Sequence, residues 1–299
     1  MKPLTIFTPT YNRAYCLHHC YESLKRQTTK QFIWLIIDDG STDGTEELVK
    51  SWIEENIIQI EYKWQENQGM HGAHNTAYEH MKTELNVCID SDDYMPNDAV
   101  EKILSFWKEY GSDRVSGIVG LNSYTNNKII GTTLPVNFKK ATLFDLYNKY
   151  KVTGDKKLVY RTELTKKFKY PLFHNEKYVG LDYKYYQLDK HYNMLLMNKV
   201  LCKVEYLPDG SSRNMMMQYY NNPHGFSFYR KELMKLPFAN VLFKFRQSIH
   251  YVSSSLLCRN WKFIKETPEK GLTILSLPFG AFLFLYIKFR VMKKKNLAA

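Results

Sequence analysis

The sequence predicts an α/β fold with a mostly parallel sheet and helices on both faces. Over the first hundred residues, short apolar segments alternate with segments of helical periodicity, and the links between them are short. The second apolar segment, residues 32–37, is apolar almost throughout. That composition is expected of a strand buried on both sides in a parallel sheet.

The individual elements follow in chain order. The predicted strands are rich in apolar and β-branched side chains, and they cover residues 4–8, 32–37, 57–62 and 85–89. The predicted helices repeat apolar residues every three or four positions, and they cover residues 15–27, 43–53, 72–82 and 97–107. Asp43 and Glu46 are spaced for a capping box at the start of the second helix.

Polar clusters follow three of the predicted strands. They are residues 8–13 (Thr-Pro-Thr-Tyr-Asn-Arg), residues 38–41 (Asp-Asp-Gly-Ser) and residues 90–93 (Asp-Ser-Asp-Asp). Ligands of open α/β sheets bind beyond the carboxyl ends of the strands. We therefore expect the three clusters to meet at one edge of the sheet and to form the binding site.

The carboxylates in these clusters indicate the chemistry of the site. Asp90, Asp92 and Asp93 crowd one turn, and their mutual repulsion would be relieved by a divalent cation such as Mn²⁺ or Mg²⁺. The alternative is that Asp92 or Asp93 only begins the next helix. Asp39 could accept a hydrogen bond from an imide N–H or a sugar hydroxyl, or it could simply be a turn residue beside Gly40.

Composition and charge exclude several protein classes. Among 299 residues, 44% are hydrophobic and 24% are charged, which is atypical of disordered or collagenous chains. Five cysteines in a chain of this length predict a reducing compartment rather than a disulfide framework, and no secretory leader is recognisable, so we expect no secretion. Half of the net charge of +12 falls in residues 261–299, which predicts a local anionic partner there.

Four segments in order resemble the motifs of glycosyltransferase family 2. They are residues 8–12 (Thr-Pro-Thr-Tyr-Asn), 37–45 (Ile-Asp-Asp-Gly-Ser-Thr-Asp-Gly-Thr), 67–75 (Asn-Gln-Gly, then Gly72-Ala-His-Asn75) and 89–93 (Ile-Asp-Ser-Asp-Asp). Within that family, the chain is similar to bacterial enzymes that build capsular or exopolysaccharide units. The resemblance implies the GT-A fold, a nucleotide-sugar donor and inversion at the anomeric carbon.

The resemblance also implies roles for single residues. The base and ribose would be bound by Thr8, Pro9, Thr10 and Tyr11, and Arg13 would lie in the same donor site. Asp39 would form a hydrogen bond with the uracil imide of a UDP-sugar. Asp90 and Ser91 would lie near the ribose and the donor sugar, and Asp92 would ligate the Mn²⁺ or Mg²⁺ ion. Gly69 and Gly72 would let the backbone approach the donor, and Asn75 would face the same cleft from a helix start. His74 replaces an Arg found in many members, so it is expected to be a polar helix residue without a phosphate role.

The catalytic base of the family is usually supplied by a Glu-Asp pair that opens a helix after a glycine. Residues 178–183 resemble this motif, with Leu181 in place of the Glu and Asp182 in place of the Asp. Inverting transfer needs one carboxylate to take the proton of the acceptor hydroxyl. Asp182 is therefore the expected base, and the alternative is that it only caps the helix.

Residues 207–230 are expected to form a flap over the site. Arg213 could neutralise the leaving diphosphate, and His224 could be a further metal ligand, as a late histidine is in some relatives of the family. The alternatives are a solvated arginine and a loop histidine. Domain boundaries are expected at 1–206 for the catalytic domain, with a donor half at 1–120 and an acceptor half at 121–206, and at 207–299 for the flap and a basic helical region.

The C-terminal region has the features of a membrane-binding segment. Residues 240–258 predict an amphipathic helix, and residues 271–287 carry no charge but are followed by a basic cluster. Because 17 uncharged residues interrupted by Pro278 are marginal for crossing a bilayer, we expect an interfacial or re-entrant segment on anionic lipid. The alternative is a buried helix that packs on the catalytic domain.

These expectations combine into one predicted function. An inverting enzyme would transfer a hexose from UDP to a glycan acceptor, lipid-linked in this prediction, for bacterial surface polysaccharide. It would act at the cytoplasmic face of the membrane and would bind no nucleic acid. Two alternatives stay open: a sugar nucleotidyltransferase, and a non-catalytic protein that uses its positive charge to bind membranes or nucleic acid.

Overall fold

The computed structural model describes residues 2–205 and 215–298, and it describes side chains as far as residue 294. The strands in these residues are β1 (Leu4–Thr10), β2 (Phe32–Asp38), β3 (Ile60–Trp64), β4 (Leu85–Cys88), β5 (Val115–Tyr124), β6 (Lys140–Ala141), β7 (Lys156–Arg161) and β8 (Asn193–Val204). The longer helices are α1 (Ala14–Lys25), α2 (Thr45–Glu55), α3 (Met70–His80), α4 (Ala99–Tyr110), α9 (Pro223–Met234), α10 (Val241–Leu257) and α13 (Leu277–Ala298). The shorter helices are α5 (Leu143–Asn148), α6 (Thr162–Thr165), α7 (Asp182–Leu188), α8 (Met215–Asn221), α11 (Phe263–Glu266) and α12 (Lys270–Leu275).

The chain forms two compact units. The first unit takes Met1–Lys169 and His191–Leu207, and the second takes Tyr170–Lys190 and Pro208–Ala299. The segment Tyr170–Lys190 belongs to the second unit although it precedes residue 206, where the sequence analysis expects a boundary.

The first unit contains one sheet with the strand order β3-β2-β1-β4-β7-β5-β8-β6. The strands β3, β2, β1 and β4 are parallel, as predicted, and β8 is parallel to β5. The strand β7 runs antiparallel to both β4 and β5, and β6 runs antiparallel to β8. The N-terminal half is thus the parallel sheet that the strand–helix alternation predicts, and the other half is mixed.

Helices cover both faces of the parallel half because successive side chains of a strand point to opposite faces. On one face, Ile6 of β1 shares a buried core with α1, α2 and α4, in which Tyr21, Trp34 and Trp52 stack on one another. On the other face, the ring of Phe7 packs edge-on against His74 and Tyr78 of α3. The core therefore consists of two apolar layers with the sheet between them.

The second helix begins two residues later than predicted, so the capping box is wrong. Gly44 is the N-cap residue of α2, and Asp43 lies before it. One oxygen of Asp43 accepts a hydrogen bond from the Thr45 N–H (3.1 Å), and the other accepts one from the Ala14 N–H (3.1 Å). Glu46 instead pairs with Lys50 at 2.7 Å, one turn along the helix.

The third strand also begins later than predicted. Asn56 ends α2 in the left-handed conformation, with φ 51°. Residues 57–59 are then needed to return the chain to the sheet, where Ile60 is in register with Trp34. Ile57 is exposed, whereas Ile58 is buried in the core, and this is why the sequence reads as apolar from residue 57.

The second unit is helical and has its own core. Met234, Tyr251, Val252 and Phe263 are buried together, and α13 packs along α10. The uncharged segment 271–287 is divided between two helices, because α12 ends at Leu275 and α13 begins at Leu277 with Pro278 in its first turn. Among the helices that the structure describes, none has the length and apolar character needed to cross a membrane.

Candidate active site

The three polar clusters meet at one edge of the sheet, as predicted. β1 lies between β2 and β4 and is parallel to both, with Thr10 opposite Asp38 and Phe7 opposite Cys88. The carboxyl ends of these strands are therefore adjacent. The N–H of Asp39 donates to the Thr10 carbonyl at 2.8 Å, so the first two clusters are joined directly.

Asn12 connects the cluster after β1 to the cluster after β2. Its backbone has φ 51°, which Asn tolerates better than most residues. The Asn12 N–H donates to the Ser41 hydroxyl at 2.9 Å, and its side-chain oxygen accepts from the Thr42 N–H at 2.8 Å. These bonds fix the turn that carries Tyr11 and Arg13.

The two threonines at the end of β1 point into the protein. Thr8 and Thr10 share a face with Ile6, because strand side chains alternate, and both are buried. The Thr8 hydroxyl accepts a hydrogen bond from Trp34 Nε1 at 2.9 Å. Tyr11 is exposed, and Pro9 is partly exposed. Among the side chains expected to cradle the base and ribose, only these two are accessible.

Asp39 holds the loop that follows β3. One of its carboxylate oxygens accepts from Gln65 Nε2 (2.6 Å) and from the Gln68 N–H (2.8 Å), and the other accepts from the Gly69 N–H (2.7 Å). The neighbouring Asp38 accepts from the hydroxyl of Tyr62 at 2.6 Å. Both carboxylates thus connect β2 to the chain around β3, and Asp39 does more than form a turn.

Local backbone geometry and packing explain why positions 69 and 72, at the end of this loop and in the first turn of α3, are glycines. Gly69 is the N-cap of α3 with φ 82°, a conformation that side chains disfavour. A Cβ on Gly72 would lie 2.3 Å from the Cβ of Gln68, so only glycine fits there. Because α3 begins at Met70, Asn75 lies in its second turn rather than at the helix start expected from the sequence.

His74 lies in helix α3, as the sequence predicts. It is buried, its ring contacts Phe7 edge-on with centroids 5.0 Å apart, and its Nδ1 lies 3.2 Å from the Tyr78 hydroxyl. Its Nε2 lies 3.7 Å from the Sγ of Cys88, at the end of β4. His74 therefore connects α3 to the strand that carries the third cluster.

Two carboxylates of the cluster after β4 are accessible to solvent, and a third is buried. Asp90 is exposed and Asp92 is partly exposed, whereas Ser91 and Asp93 are buried. The Asp93 N–H donates to the Asp90 carbonyl at 3.0 Å, which closes a turn. The exposed pair is thus held on a short, defined loop.

A buried lysine that the sequence analysis did not identify lies under this loop. Lys157 of β7 has its Nζ 3.9 Å from a carboxylate oxygen of Asp93, and it donates to the Cys88 carbonyl at 3.1 Å. The thiol of Cys202 donates to Asp93 at 3.4 Å. Burial raises the pKa of Asp93 to about 7, against the lowering effect of Lys157. Part of the expected carboxylate repulsion is therefore relieved by a cation of the protein itself.

Asp182, in the second unit, occupies the first turn of α7 and is oriented by a tyrosine. Leu181 is the N-cap residue, so Asp182 is not the cap. The Tyr229 hydroxyl donates to its carboxylate at 2.6 Å, and a Cβ on Gly180 would lie 2.9 Å from the Tyr229 ring. Burial raises the pKa of Asp182, while the Tyr229 hydrogen bond and the Arg230 guanidinium oppose the rise.

His224 is held by a buried carboxylate at the start of α9. Glu176 accepts from the His224 N–H (2.9 Å) and the Gly225 N–H (2.7 Å), and it lies 2.7 Å from His224 Nδ1. A neutral imidazole that donates from Nδ1 to Glu176 would leave the lone pair on Nε2 available to a ligand. Metal-binding histidines are commonly held in this way by a carboxylate. Arg213 lies outside the described residues.

The donor types of Asp92 and His224 fit a divalent cation. A carboxylate oxygen suits Mg²⁺ and Mn²⁺, and an imidazole nitrogen with a carboxylate behind it is a common metal ligand. Within residues 2–205 and 215–294, no three His, Cys, Asp or Glu side chains are grouped closely enough to hold a metal ion by themselves.

Comparison with known proteins agrees with this geometry. The chain is similar to Glycosyltransferase GlyA of Streptococcus pneumoniae, with 34% identity over 130 residues, which are 43% of this chain and 18% of that protein. It is also similar to the teichoic acid poly(glycerol phosphate) polymerase of Staphylococcus epidermidis, with 30% identity over 129 residues, which are 43% of this chain and 17% of that protein. The matches thus span less than a fifth of these relatives.

Solved structures share the fold. The structure of Staphylococcus aureus TarS 1–349 in complex with UDP-GlcNAc has a TM-score of 0.61 at 18% identity, and the match covers 93% of this chain and 80% of that one. The mannosyltransferase PcManGT from Pyrobaculum calidifontis, in complex with GDP-Man and Mn²⁺, has a TM-score of 0.55 at 17% identity, covering 95% and 87%. The model of the family described as "Glycosyl transferase family 2" matches residues 5–168, more than half of the sequence. The chain therefore belongs to glycosyltransferase family 2.

Proposed function

We propose that the protein transfers a hexose from a UDP-sugar to a glycan acceptor, with inversion, in the synthesis of a bacterial surface polysaccharide. The observation that carries the proposal is the edge of the sheet where the clusters after β1, β2 and β4 are adjacent, with Asp90 and Asp92 accessible on an anchored loop. The solved TarS structure of the same fold contains UDP-GlcNAc, which supports a UDP-sugar as donor.

The donor is assigned to residues 1–120, together with Arg213. Tyr11 offers an exposed ring for the base, and Asp39 is kept in place by its bonds to residues 65–69 for a hydrogen bond with the uracil imide. The remaining proposed donor contacts are Thr8, Pro9, Thr10, Arg13, Gly69, Gly72, Asn75, Asp90, Ser91 and Arg213. Since Thr8 and Thr10 direct their side chains inward, they would contact the donor through the backbone.

Asp182 is the proposed catalytic base. The acceptor oxygen forms its bond to the anomeric carbon while the bond from that carbon to the diphosphate oxygen breaks, and UDP leaves with the electron pair. The acceptor proton passes to the Asp182 carboxylate. Burial raises the pKa of Asp182, which improves it as a proton acceptor, and the Tyr229 hydrogen bond fixes its orientation.

Asp92 and His224 would hold the Mn²⁺ or Mg²⁺ ion. When bound, such an ion offsets the negative charge that develops on a leaving diphosphate. The protein's own contribution at this place is to fix the ligands, through the turn that ends at Asp93 and through the bond from Glu176 to His224.

The acceptor is proposed to be a lipid-linked glycan at the cytoplasmic face of the membrane. Half of the net positive charge lies in residues 261–299, which would attract an anionic membrane surface. This proposal assigns that charge to lipid, and no nucleic acid is expected to bind.

Product analysis tests the proposed reaction. The purified protein is incubated with UDP-Glc, UDP-Gal, UDP-GlcNAc or UDP-GalNAc and with Mn²⁺ or Mg²⁺, and UDP and pyrophosphate are both measured. We expect UDP release from one donor, dependent on the cation. Asp92→Asn and Asp182→Asn should abolish transfer, and Asp182→Asn should still bind UDP. The matched control is Asp98→Asn, which changes a partly exposed carboxylate at the N-cap of α4 that pairs with Lys102. Release of pyrophosphate would instead indicate a nucleotidyltransferase.

A further inference from the structure

Helix α13 has two apolar sides. One side is buried and includes Gly280, Ile287 and Val291, spaced seven and four residues apart, and α13 packs mainly on α10 and also on α8. A Cβ on Gly280 would lie 2.5 Å from the Cβ of Val252 in α10, so the two helices approach closely there. This side explains how α13 is held in the second unit, and it leaves the opposite side to be explained.

The opposite side of α13 is apolar and exposed. Phe282, Leu285, Phe289 and Met292 are spaced three, four and three residues apart, which places them on one stripe because each residue turns a helix by about 100°. Their exposed fractions are 72%, 62%, 64% and 59%. Single exposed apolar residues are ordinary on protein surfaces, but a continuous stripe of large ones marks a contact.

The exposed stripe continues onto two other helices. The ring of Phe279 lies 6.0 Å from the ring of Phe245 in α10, and α12 presents Ile274 and Leu275 to solvent. We call the exposed apolar residues of the two last helices, apart from Tyr286, the α12–α13 surface; they are Ile274, Leu275, Phe279, Phe282, Leu285, Phe289 and Met292. At the start of α10, Val241 and Leu242 are exposed as well.

Positive charge lies beside the α12–α13 surface. Lys288 and Arg290 are on opposite edges of the stripe, about 100° from its centre, and Lys293 and Lys294 follow one turn later. The Nζ of Lys288 lies 5.2 Å from the centre of the Phe284 ring, and the guanidinium of Arg290 lies 5.9 Å from that of Tyr286. From residue 270 to the end of the sequence there is no Asp or Glu.

We infer that the α12–α13 surface inserts into the headgroup boundary of an anionic bilayer, with α13 parallel to the membrane plane. An apolar stripe with cations on both edges and no carboxylates is complementary to acyl chains below and anionic headgroups beside it. A protein partner would not require the cations on both edges. The inference deepens the proposed function, since it names the surface through which the enzyme would reach a lipid-linked acceptor.

Vesicle sedimentation tests which residues bind. The full chain is mixed with phosphatidylcholine vesicles that contain or lack phosphatidylglycerol. We expect binding to the anionic vesicles, and we expect Phe282→Ser with Phe289→Ser to weaken it by at least about tenfold, because two large apolar side chains no longer leave water. Ile53→Ser with Ile57→Ser, which removes two exposed apolar side chains of the first unit, is the matched control and should bind like the unmodified protein.

Two further measurements decide the alternatives. Phe282→Trp and Phe289→Trp variants are quenched by lipids brominated at shallow or deep positions. Seven helical residues span about 10 Å, so an in-plane helix gives the same depth for both and a crossing helix gives different depths. Three results of the vesicle experiments would each overturn the inference: no binding to anionic vesicles, equal binding by the serine variants, or unequal depths of the two tryptophans. Sedimentation velocity is the second measurement, and a dimer that the serine substitutions dissociate would also overturn the inference. UDP release in the absence of an acceptor should be unchanged in the serine variants, so failure of the proposed reaction is recognised separately.

Discussion

Tyr229→Phe should move the pH profile of the enzyme without unfolding it. The substitution removes one hydroxyl, which donates to the carboxylate of Asp182 at 2.6 Å, and keeps the ring that packs on Gly180. A hydrogen bond to a charged group contributes ~1.5–3 kcal/mol, and one pKa unit corresponds to ~1.4 kcal/mol. Because this bond favours the ionised carboxylate, its loss should raise the pKa of Asp182 further, and the free energy of ionising it should rise by about the strength of the bond.

The expected consequence is a shift of the acid limb of kcat/KM. As the proposed base, Asp182 would have to be ionised to accept a proton. With a higher pKa, the activity should therefore fall at a correspondingly higher pH, while the plateau at high pH is retained. The assay is UDP release across a pH series with the acceptor present. Tyr251→Phe, which removes a buried hydroxyl that donates to the Phe263 carbonyl at 3.1 Å, is the matched control. An acid limb at the same pH in Tyr229→Phe and in the unmodified enzyme would refute the reasoning.

Three further predictions concern buried groups. Lys157→Met should lower the free energy of unfolding by ~3–5 kcal/mol, since it leaves the Asp93 carboxylate buried without its cation. Adding Asp93→Asn to this variant should restore part of the lost stability, as measured by urea titration. Lys184→Met should raise the free energy of unfolding by ~1–3 kcal/mol at pH 7, because burial lowers the pKa of Lys184 to about 6. At pH 7 the lysine is therefore protonated in the unfolded chain but largely neutral in the folded one, which favours unfolding. The stability gained by Lys184→Met should shrink as the pH rises toward 10, as measured by melting curves. Gly280→Ala should lower the melting temperature because its Cβ would overlap α10, at a cost of ~1–3 kcal/mol, whereas Gly271→Ala, with nothing within 4 Å, should not lower it.

The parallel half of the fold was predictable because its signals are local. Buried strands such as residues 32–37 are apolar throughout, and the polar clusters stand at their ends. Parallel pairing then brings those clusters together without further information. Helix starts were less predictable. Asp43 and Glu46 have capping-box spacing, but the side chain of Asp43 accepts a hydrogen bond from the N–H of Ala14, 29 residues away in sequence.

The residues that support the site could not be found from sequence alone. Lys157 lies on a strand that follows β4 by about seventy residues, and only the insertion of β7 between β4 and β5 brings it under Asp93. One signal was present: a lysine directly before the apolar residues of a strand is either exposed or paired. The contacts of His74 could not be predicted because its neighbours Phe7 and Cys88 come from two other elements.

Helix α9 carries His224, the proposed cation ligand, and Tyr229, which donates a hydrogen bond to Asp182, the proposed base. Glu176 fixes its first turn together with the His224 ring, and five residues later Tyr229 holds the Asp182 carboxylate. Five helical residues correspond to about 7.5 Å, a spacing that side-chain motion alone does not change. A ligand that displaced the start of α9 would therefore alter the proton acceptor and the imidazole in the same movement. If His224 binds the cation and Asp182 takes the acceptor proton, as proposed, cation binding and acceptor activation would both depend on the position of this one helix.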